Sequence, residues 1–467
     1  HLYLGAPQQL EENLLISQIG DFLGKNDLSV DSYDFKRVYR YFRERGEVIS
    51  PSFDLFTADY LLSPSSAGGS LAEIAGRYLD WLPPEYTGKE SEEEVEKISM
   101  MASSRVAAIM EMKDSMEERL KVEELLDLYL EIERPMAKIL AEMELEGIGI
   151  DIEGFEETAR AFRKELRKIE EKIFSIAGTN FNINSPAQLS EILFEKRGLK
   201  PLRKTKKGFS TAEDVLQKLS KFDPLPEHVL DYRHYQKLNS TYVEPLPKMA
   251  DNDRGRLHTS FNIAGTATGR LSSSEPNLQN IPVRSKEGGL IRKSFIPSPN
   301  SVFLSADYSQ IDLRVLAHLS GDEGLRESFI KGEDIHRATA ARVFDLDEKE
   351  VTDEMRKRAK AVNFGIVYGI SGWGLSKNID MTPKESEAFI KKYFERYPGI
   401  KDYMDKTLDG VKEKGYVKTI LGRTRHFPEI KSKNYVRRGL AERAAINTPV
   451  QGSSADIIKK ATVELAA

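Results

Sequence analysis

Residues 356–369, with the sequence RKRAKAVNFGIVYG, form the stretch that decides the fold of this chain. They predict an α-helix, because Thr352 is a suitable N-cap, acidic residues follow it in the first turn, and Gly369 is a natural stop. At helical spacing Val362 and Ile366 fall on a different side from the cations. We expect these two side chains to anchor the helix in a hydrophobic core.

One face of this helix carries the groups that suggest a ligand. The side chains that recur every four residues, and therefore stack along that face, are Arg356, Lys360, Phe364 and Tyr368. Two cations a turn apart suit a polyphosphate, and a ring one turn further along suits a sugar and base. The alternative is a solvated basic face, but such faces usually include acidic residues, and this run has none. The pattern therefore favours a nucleoside triphosphate.

Composition limits the classes of protein to which the chain can belong. The 467 residues are enough for about three domains. Hydrophobic residues make up 40% and charged residues 31%, and the formal net charge is −5, so any nucleic-acid surface must be a local basic patch. With 0 Cys the chain has no disulfide framework and no thiolate chemistry, and with only 7 His a zinc role is disfavoured. No apolar run is long enough to span a bilayer.

The first half of the chain changes from mixed to helical character. Residues 1–118 combine short apolar stretches with helical periodicity, and we expect an α/β unit there. A long amphipathic helix is expected over 152–178, with further helices over 211–221 and 226–248. The basic loop at 203–208 suits a duplex backbone, while solvated lysines are the alternative.

The second half changes from strand-like to helical character. Residues 258–317 have β character, and the run SVFLSAD at 301–307 predicts a buried strand that ends in the carboxylate of Asp307. Residues 320–440 are predicted to be mainly helical. A carboxylate at a strand end, beside a backbone carbonyl, is a common platform for Mg²⁺. A strand-end cap or a salt bridge with an arginine is the alternative role for Asp307.

Several specific stretches, taken together, resemble the family A DNA polymerases of the bacterial DNA polymerase I type. They are TGRLSS at 268–273, PNLQNIP at 276–282, DYSQI at 307–311, the helix at 356–369 and TPVQG at 448–452. They occur in the family's order and at compatible spacing. The resemblance is close over roughly residues 120–467 and weaker before that.

The resemblance implies an α/β multidomain fold. It is that of a right-hand polymerase with palm, fingers and thumb, preceded by an exonuclease-like α/β domain and with a palm that is incomplete at the C-terminus. The implied domains are a vestigial 3′–5′ exonuclease-like domain at 1–118, the start of the polymerase domain (palm base) at 119–151, the thumb at 152–257, the palm at 258–333, the fingers at 334–440 and a truncated palm helix at 441–467.

The resemblance also implies roles for individual residues. Asp307, assisted by the Tyr308 carbonyl, would bind both Mg²⁺ ions of a two-metal site, in which Mn²⁺ could replace Mg²⁺, and Asp307 and Lys360 would serve catalysis. The implied nucleotide-binding residues are Arg356, Lys360, Phe364, Tyr368, His336, Gln310 and Asp312. The implied DNA-binding residues are Arg270, Asn277, Gln279, Asn280, Arg443, Asn447, Gln451, Lys204, Lys206 and Lys207.

The implied function is template-directed DNA synthesis, in which dNTPs are added to a primer 3′-hydroxyl and pyrophosphate is released. The implied partners are primer–template DNA and dNTPs, with no membrane. A monomer in a bacterial cytoplasm, or a phage-type nucleoid-associated enzyme, is expected. A non-catalytic nucleic-acid-binding fragment and a 3′–5′ exonuclease are the alternatives.

This sequence departs from the family pattern at several positions. The family's second catalytic carboxylate lies in a His-Asp-Glu turn, and no His-Asp-Glu occurs here. We therefore read the chain as truncated before that motif and expect it to bind primer–template but to extend primers poorly. Asp312 stands where the family usually has Glu, which predicts weaker discrimination against ribonucleotides. In the N-terminal region Asp34 matches one exonuclease acid, but Arg105 stands where another is expected, which predicts a non-catalytic domain.

Overall fold

The computed structural model of this chain divides into two compact units. The first comprises His1–Leu145, Phe261–Ser272 and Ala306–Ala467, and the second comprises Glu146–Ser260 and Ser273–Ser305. The structure describes residues 11–467 with the exceptions of 67, 86–94, 207, 252, 284, 368, 370–371 and 378–380.

Helices dominate the described residues. In chain order the α-helices are α1 (Glu12–Lys25), α2 (Phe35–Arg43), α3 (Leu55–Leu62), α4 (Leu71–Tyr78), α5 (Val95–Val122), α6 (Leu126–Leu128), α7 (Arg134–Glu146), α8 (Ile152–Ala177), α9 (Pro186–Ser190), α10 (Glu213–Leu219), α11 (Leu225–Leu238), α12 (Leu246–Met249), α13 (Lys286–Lys293), α14 (Ile311–Ser320), α15 (Glu323–Ile330), α16 (Ile335–Phe344), α17 (Asp353–Val367), α18 (Gly372–Ser376), α19 (Pro383–Arg396), α20 (Pro398–Lys414) and α21 (Tyr435–Ala466). Single π-helical turns occupy Tyr129–Glu133, Glu191–Lys196 and Asn239–Val243, and 3₁₀ turns occupy Glu348–Glu350 and Pro428–Lys431.

The strands are short. In chain order they are β1 (Ser29–Ser32), β2 (Ser50–Asp54), β3 (Ile148–Ile150), β4 (Lys204–Thr205), β5 (Gly208–Phe209), β6 (Arg256–Leu257), β7 (Ser260–Asn262), β8 (Ser272–Ser274), β9 (Phe295–Ile296), β10 (Tyr416–Lys418) and β11 (Thr424–His426). β1 and β2 pair in parallel, whereas β4 with β5 and β10 with β11 form antiparallel pairs.

The helix predicted around residues 356–369 is present as α17 and has the predicted ends. The Thr352 hydroxyl accepts a hydrogen bond from the Met355 amide at 3.2 Å, as an N-cap does. Gly369 follows the helix with φ +63°, a left-handed conformation that favours glycine. Val362 and Ile366 are buried, with exposures of 0% and 3%, in the core that α17 shares with α14, α16, α19 and α20. The prediction of a core-anchored helix is therefore confirmed.

The second unit is built on a small sheet and two long helices. β3 lies between β6 and β9 and is antiparallel to both. Gly149 occupies the centre of β3, where a Cβ would lie 2.8 Å from the Ile296 carbonyl oxygen, so only glycine fits. The predicted helix over 152–178 is confirmed as α8, which begins after the Asp151 cap and ends before Gly178. α8 packs along α11.

The strand predicted at 301–307 is not formed. Residues 301–308 have no regular secondary structure, and Val302, Phe303 and Leu304 are 87%, 56% and 94% exposed. An apolar run becomes a buried strand only when a neighbouring strand takes its backbone hydrogen bonds. Among the described residues no strand pairs with this run. The predicted β character of 258–317 also fails at 286–293, which form α13.

Across the described part of the chain, no helix is both long enough and apolar enough to cross a bilayer.

Candidate nucleotide-binding site

The cationic face of α17 has one partnered and one available cation. Arg356 Nε donates to Asp334 Oδ2 at 2.8 Å. Lys360 has no carboxylate partner among the described residues, and its Nζ lies 6.0 Å from the centroid of the Phe364 ring. This distance is at the outer limit of a cation–π contact, so the ammonium group remains free to bind an anion. Tyr368, the last residue predicted for this face, lies outside the described residues.

Asp334 joins α17 to the start of α16. Its Oδ1 accepts hydrogen bonds from the amides of His336 and Arg337 at 3.0 and 3.2 Å, while Oδ2 accepts from Arg356. Partial burial opposes its charge, but the hydrogen bonds from Arg356 and from the helix amides outweigh burial and lower the pKa of Asp334. Sequence reasoning missed this residue, although an Asp directly before a helix is a recognisable N-cap signal.

His336 is buried next to the cationic face. Its exposure is 2%, and its ring centroid lies 5.7 Å from that of Phe364. Asn363 Nδ2 lies 3.1 Å from His336 Nδ1 and 3.1 Å from the Thr339 hydroxyl. Burial lowers the pKa of His336 to about 4, so the ring is neutral at pH 7 and Nδ1 accepts from Asn363. Asn363 is wholly buried, and nothing in the sequence pattern singled it out.

Asp307 and its neighbours lie on the exposed run before α14. Asp307 is exposed, and Tyr308 is 51% exposed. Gln310 caps α14 with φ +56°, and Asp312 lies in the first turn of that helix. Among the described residues no group of three or more His, Cys, Asp or Glu side chains could hold a metal ion. Asp307 therefore does not belong to a group of three or more candidate metal ligands in the part of the chain that the structure describes.

Arg270 and Asp312 contact each other directly. Arg270 Nη2 lies 2.9 Å from Asp312 Oδ2 and 3.2 Å from Oδ1. The Arg270 side chain remains 43% exposed, whereas that of Asp312 is 13% exposed. The structure thus brings together a residue predicted to bind DNA and a residue predicted to bind the nucleotide sugar.

Helix α21 carries the predicted residues Arg443, Asn447 and Gln451. A Cβ on Gly369, just beyond α17, would lie 3.1 Å from Arg443 Cγ, so the end of α17 lies against this side chain. Asn447 Oδ1 is buried and has no hydrogen-bond partner among the described residues, so it is an acceptor whose hydrogen-bonding capacity is unused there. Gln451 is half-buried.

The remaining predicted DNA-binding residues belong to the second unit. Lys204 and Lys206 are exposed at the turn between β4 and β5, and Lys207 lies outside the described residues. Asn277 Oδ1 accepts from the Gln279 amide at 3.1 Å, and the Asn280 carbonyl accepts from the Tyr242 hydroxyl at 2.6 Å. These bonds fix the backbone of the 276–282 stretch.

Comparison with known proteins identifies the family. The family model described as DNA polymerase family A matches residues 152–467. The chain belongs to DNA polymerase family A. The recognition made from the five sequence stretches is therefore confirmed.

Individual relatives of this family A chain agree with that assignment. It is 44% identical to DNA polymerase I of Geobacillus stearothermophilus, an alignment that covers 99% of this chain and 53% of that protein. It is 42% identical to DNA polymerase I of Bacillus subtilis, with coverages of 97% and 54%. The chain thus spans about half the length of the curated relatives it matches.

A solved structure shares the fold. It is the POL domain of Pol1 from M. smegmatis in complex with DNA primer–template and dNTP, and it matches with a TM-score of 0.87 at 35% identity. The match covers 96% of this chain and 77% of that one. The predicted fold class, a mixed α/β polymerase architecture, is therefore confirmed.

Two acids in the N-terminal region of this family A chain, Asp34 and Asp54, accept hydrogen bonds from backbone amides. Asp34 caps α2 by accepting from the Arg37 amide at 3.3 Å. Asp54 is 2% exposed and accepts from the Phe35 amide at 3.1 Å, and burial raises the pKa of Asp54 to about 7. Arg105 donates to the Pro84 carbonyl at 2.9 Å. Each of these acids is engaged in capping or in a backbone contact.

Proposed function

We propose that this family A chain takes part in template-directed DNA synthesis, binding primer–template DNA and a dNTP. The observation that carries the proposal is the face of α17, where Arg356 and Lys360 stand one turn apart beside the rings of His336 and Phe364. A cation with no acidic partner in the described part of the chain, next to a neutral buried histidine, is arranged for a polyphosphate rather than for solvent. The resemblance to a polymerase domain in complex with primer–template and dNTP supports the same assignment.

In the proposed reaction the primer 3′-oxygen forms a bond to the α-phosphorus of the dNTP. The bond from that phosphorus to the bridging oxygen breaks, and pyrophosphate leaves with the electron pair. The 3′-hydroxyl proton passes to solvent. Lys360 neutralises the leaving phosphates and can give pyrophosphate a proton. Arg356 holds a second phosphate after exchanging Asp334 for it, and Phe364 packs on the sugar.

The DNA is held by other groups. Arg270, Arg443, Asn447 and Gln451 contact the primer terminus and template. The buried Asn447 Oδ1, which lacks a hydrogen-bond partner within the described part of the chain, supports this role. Lys204 and Lys206, with Lys207, contact the phosphate backbone. A chain with this function acts where chromosomal DNA is, so we propose a cytoplasmic, nucleoid-associated location and a monomeric state.

Divalent metal is the cofactor expected for such a reaction, with Mg²⁺ preferred and Mn²⁺ as a substitute. The residues described here do not make a two-ion site. Asp307 and the Tyr308 carbonyl would supply one carboxylate and one neutral oxygen, whereas paired divalent cations need several anionic ligands. We therefore propose that this 467-residue polypeptide binds primer–template and dNTP but extends primers slowly.

A second candidate function is non-catalytic binding of nucleic acid. It is favoured because no group of three or more candidate metal ligands accompanies the proposed binding residues in the part of the chain that the structure describes. The N-terminal region is proposed to be structural rather than an exonuclease, since Asp34 and Asp54 are committed to backbone contacts.

Primer extension tests these alternatives in one gel. The chain is given a labelled primer–template, Mg²⁺ and dNTPs, and binding is followed in parallel by fluorescence anisotropy. The proposal expects binding of the duplex, with slow lengthening of the primer. Absence of duplex binding would refute the family function for this chain, and rapid extension would refute the proposed impairment. Shortening of a single strand would refute the structural role of the N-terminal region.

A further inference from the structure

Tyr60, on α3 of the N-terminal region, lies against a loop of the candidate site. It is wholly buried, and its hydroxyl accepts a hydrogen bond from the Gly269 amide at 2.9 Å. The same hydroxyl donates to the Thr266 carbonyl at 2.7 Å. Burial raises the pKa of Tyr60 to about 12, so the hydroxyl keeps its proton and makes both bonds at neutral pH. One side chain thus holds both ends of the turn at 266–269.

The backbone of this turn has few other conformations available. Gly269 has φ +88°, and a Cβ there would lie 2.9 Å from Arg423 Nε. The Thr266 hydroxyl donates to the Arg270 carbonyl at 2.9 Å. Arg270 comes directly after Gly269, so the bonds that Tyr60 makes set the direction in which the Arg270 side chain leaves the loop.

A buried cluster of four charged side chains lies next to the Tyr60 ring. Arg423 Nε donates to Asp456 Oδ1 at 2.8 Å, and Lys459 Nζ donates to Glu133 Oε1 at 2.7 Å. Arg423 also bonds Glu133. All four side chains are at most 2% exposed, and the two cations lie 5.7 and 5.8 Å from the Tyr60 ring centroid.

The N-terminal region also contacts residues 261–272 at a second point. Lys36 Nζ donates to the Phe261 carbonyl at 2.5 Å and to Glu144 Oε1 at 2.6 Å. The Phe261 amide donates to the same Glu144 oxygen at 2.7 Å. Residues 261–272 are therefore held at their start by Lys36 and Glu144, and at their turn by Tyr60.

We propose that Tyr60 is a positioning residue for DNA binding, which acts by fixing the 266–270 loop so that Arg270 meets the primer–template. The inference rests on the proposed function, because it needs Arg270 to contact DNA. It also assigns a role in the polymerase site to the N-terminal region, which we propose to be an inactive exonuclease remnant.

A double-mutant cycle on DNA affinity tests the inference. A fluorescein-labelled hairpin primer–template is titrated with the 467-residue chain and with Tyr60→Phe, Arg270→Ala and the double variant. We expect Tyr60→Phe to weaken binding about 3- to 10-fold, because the Gly269 amide loses its acceptor and the loop is released. In the Arg270→Ala background the same change should have no further effect.

Tyr129→Phe is the matched control. Tyr129 is also wholly buried in the same unit, and its hydroxyl accepts from a backbone amide, that of Asp54 at 2.7 Å, but it does not bond the 266–270 loop. We expect it to lower thermal stability like Tyr60→Phe while leaving DNA affinity unchanged. Only Tyr60→Phe should accelerate deuterium exchange at the Gly269 amide.

Thr266→Val provides a second perturbation if Tyr60→Phe folds poorly. It removes the exposed bond to the Arg270 carbonyl and should show the same dependence on Arg270. The inference would be overturned if Tyr60→Phe or Thr266→Val reduced DNA affinity equally with and without Arg270. It would also be overturned if neither change reduced DNA affinity. Both results would leave the proposed function intact. Failure of the unsubstituted chain to bind the duplex would overturn both.

Discussion

One nitrogen of Arg270 bonds both carboxylate oxygens of Asp312, at 2.9 and 3.2 Å. The sequence predicts that Arg270 binds DNA and that Asp312 binds the nucleotide sugar. Because they bond each other, a ligand that binds either side chain would have to compete with the other. The pair is partly exposed, so its own contribution to stability is small, about 0–1 kcal/mol.

Lengthening Asp312 should sharpen sugar discrimination. Asp312→Glu keeps the charge for Arg270 but adds a methylene that reaches toward the ribose 2′-position. We expect the preference for dNTP over rNTP, measured as relative incorporation or as relative affinity in the primer–template complex, to rise about 3- to 10-fold. Asp312→Asn, which keeps the length and removes the charge, is the control. An unchanged preference in Asp312→Glu would end this explanation.

The buried His336 ring should make the protein sensitive to mild acid. Its folded pKa of about 4 lies below the ordinary value of 6.5, so folding favours the neutral ring. The stability this provides is complete above pH 6.5 and is lost as pH falls toward 4. Urea unfolding from pH 7.5 to 4.5 should show a loss on the order of 2 kcal/mol that His336→Gln lacks. Parallel curves for the two proteins would contradict the assignment.

Removing the central cation of the buried cluster should be strongly destabilising. Arg423→Met leaves the carboxylates of Glu133 and Asp456 buried with one cation fewer, which is expected to lower the free energy of unfolding by about 3–5 kcal/mol. Lys25→Ala is the control, because Lys25 and its partner Asp21 are 74% and 61% exposed. Urea titration measures both, and a small effect of Arg423→Met would show that the cluster is not a strong support.

The β4–β5 turn should contribute to the salt dependence of DNA binding. Changing both Lys204 and Lys206 to Ala should reduce the slope of log affinity against log salt by about 2, because each phosphate contact releases about one counterion. Arg203→Gln combined with Asp214→Asn is the control, since it removes a neighbouring ion pair without changing net charge. An identical slope in the lysine variant would place the DNA elsewhere.

The sequence predicted those features whose determinants lie close together along the chain. α17 was predictable because its cap, its stop and its buried face all lie within its own residues. The run at 301–307 was misread, because an apolar pattern does not reveal whether a neighbouring strand is there to cover it. The part played by Asn363 was missed, because its partner His336 is 27 residues away along the chain.

The contact of Tyr60 with Gly269 was even harder to predict from local sequence patterns. It is separated from Gly269 by 209 residues, and no spacing rule joins an α3 tyrosine to that turn. The exonuclease-like resemblance concerns the acids of this region and carries no information about its tyrosine. Only the folded chain brings the two segments together.

We propose above that a dNTP binds along α17 with its phosphates on Lys360. The most direct measurement is the affinity of the correct dNTP for the chain bound to a primer–template with a dideoxy-terminated primer, in the presence of Mg²⁺. We predict that Lys360→Glu weakens this affinity at least about tenfold. Arg358→Glu changes charge equally but lies about 200° around the helix, so it should have little effect. Unchanged affinity in Lys360→Glu, or an equal loss in Arg358→Glu, would show that the phosphates do not lie on Lys360.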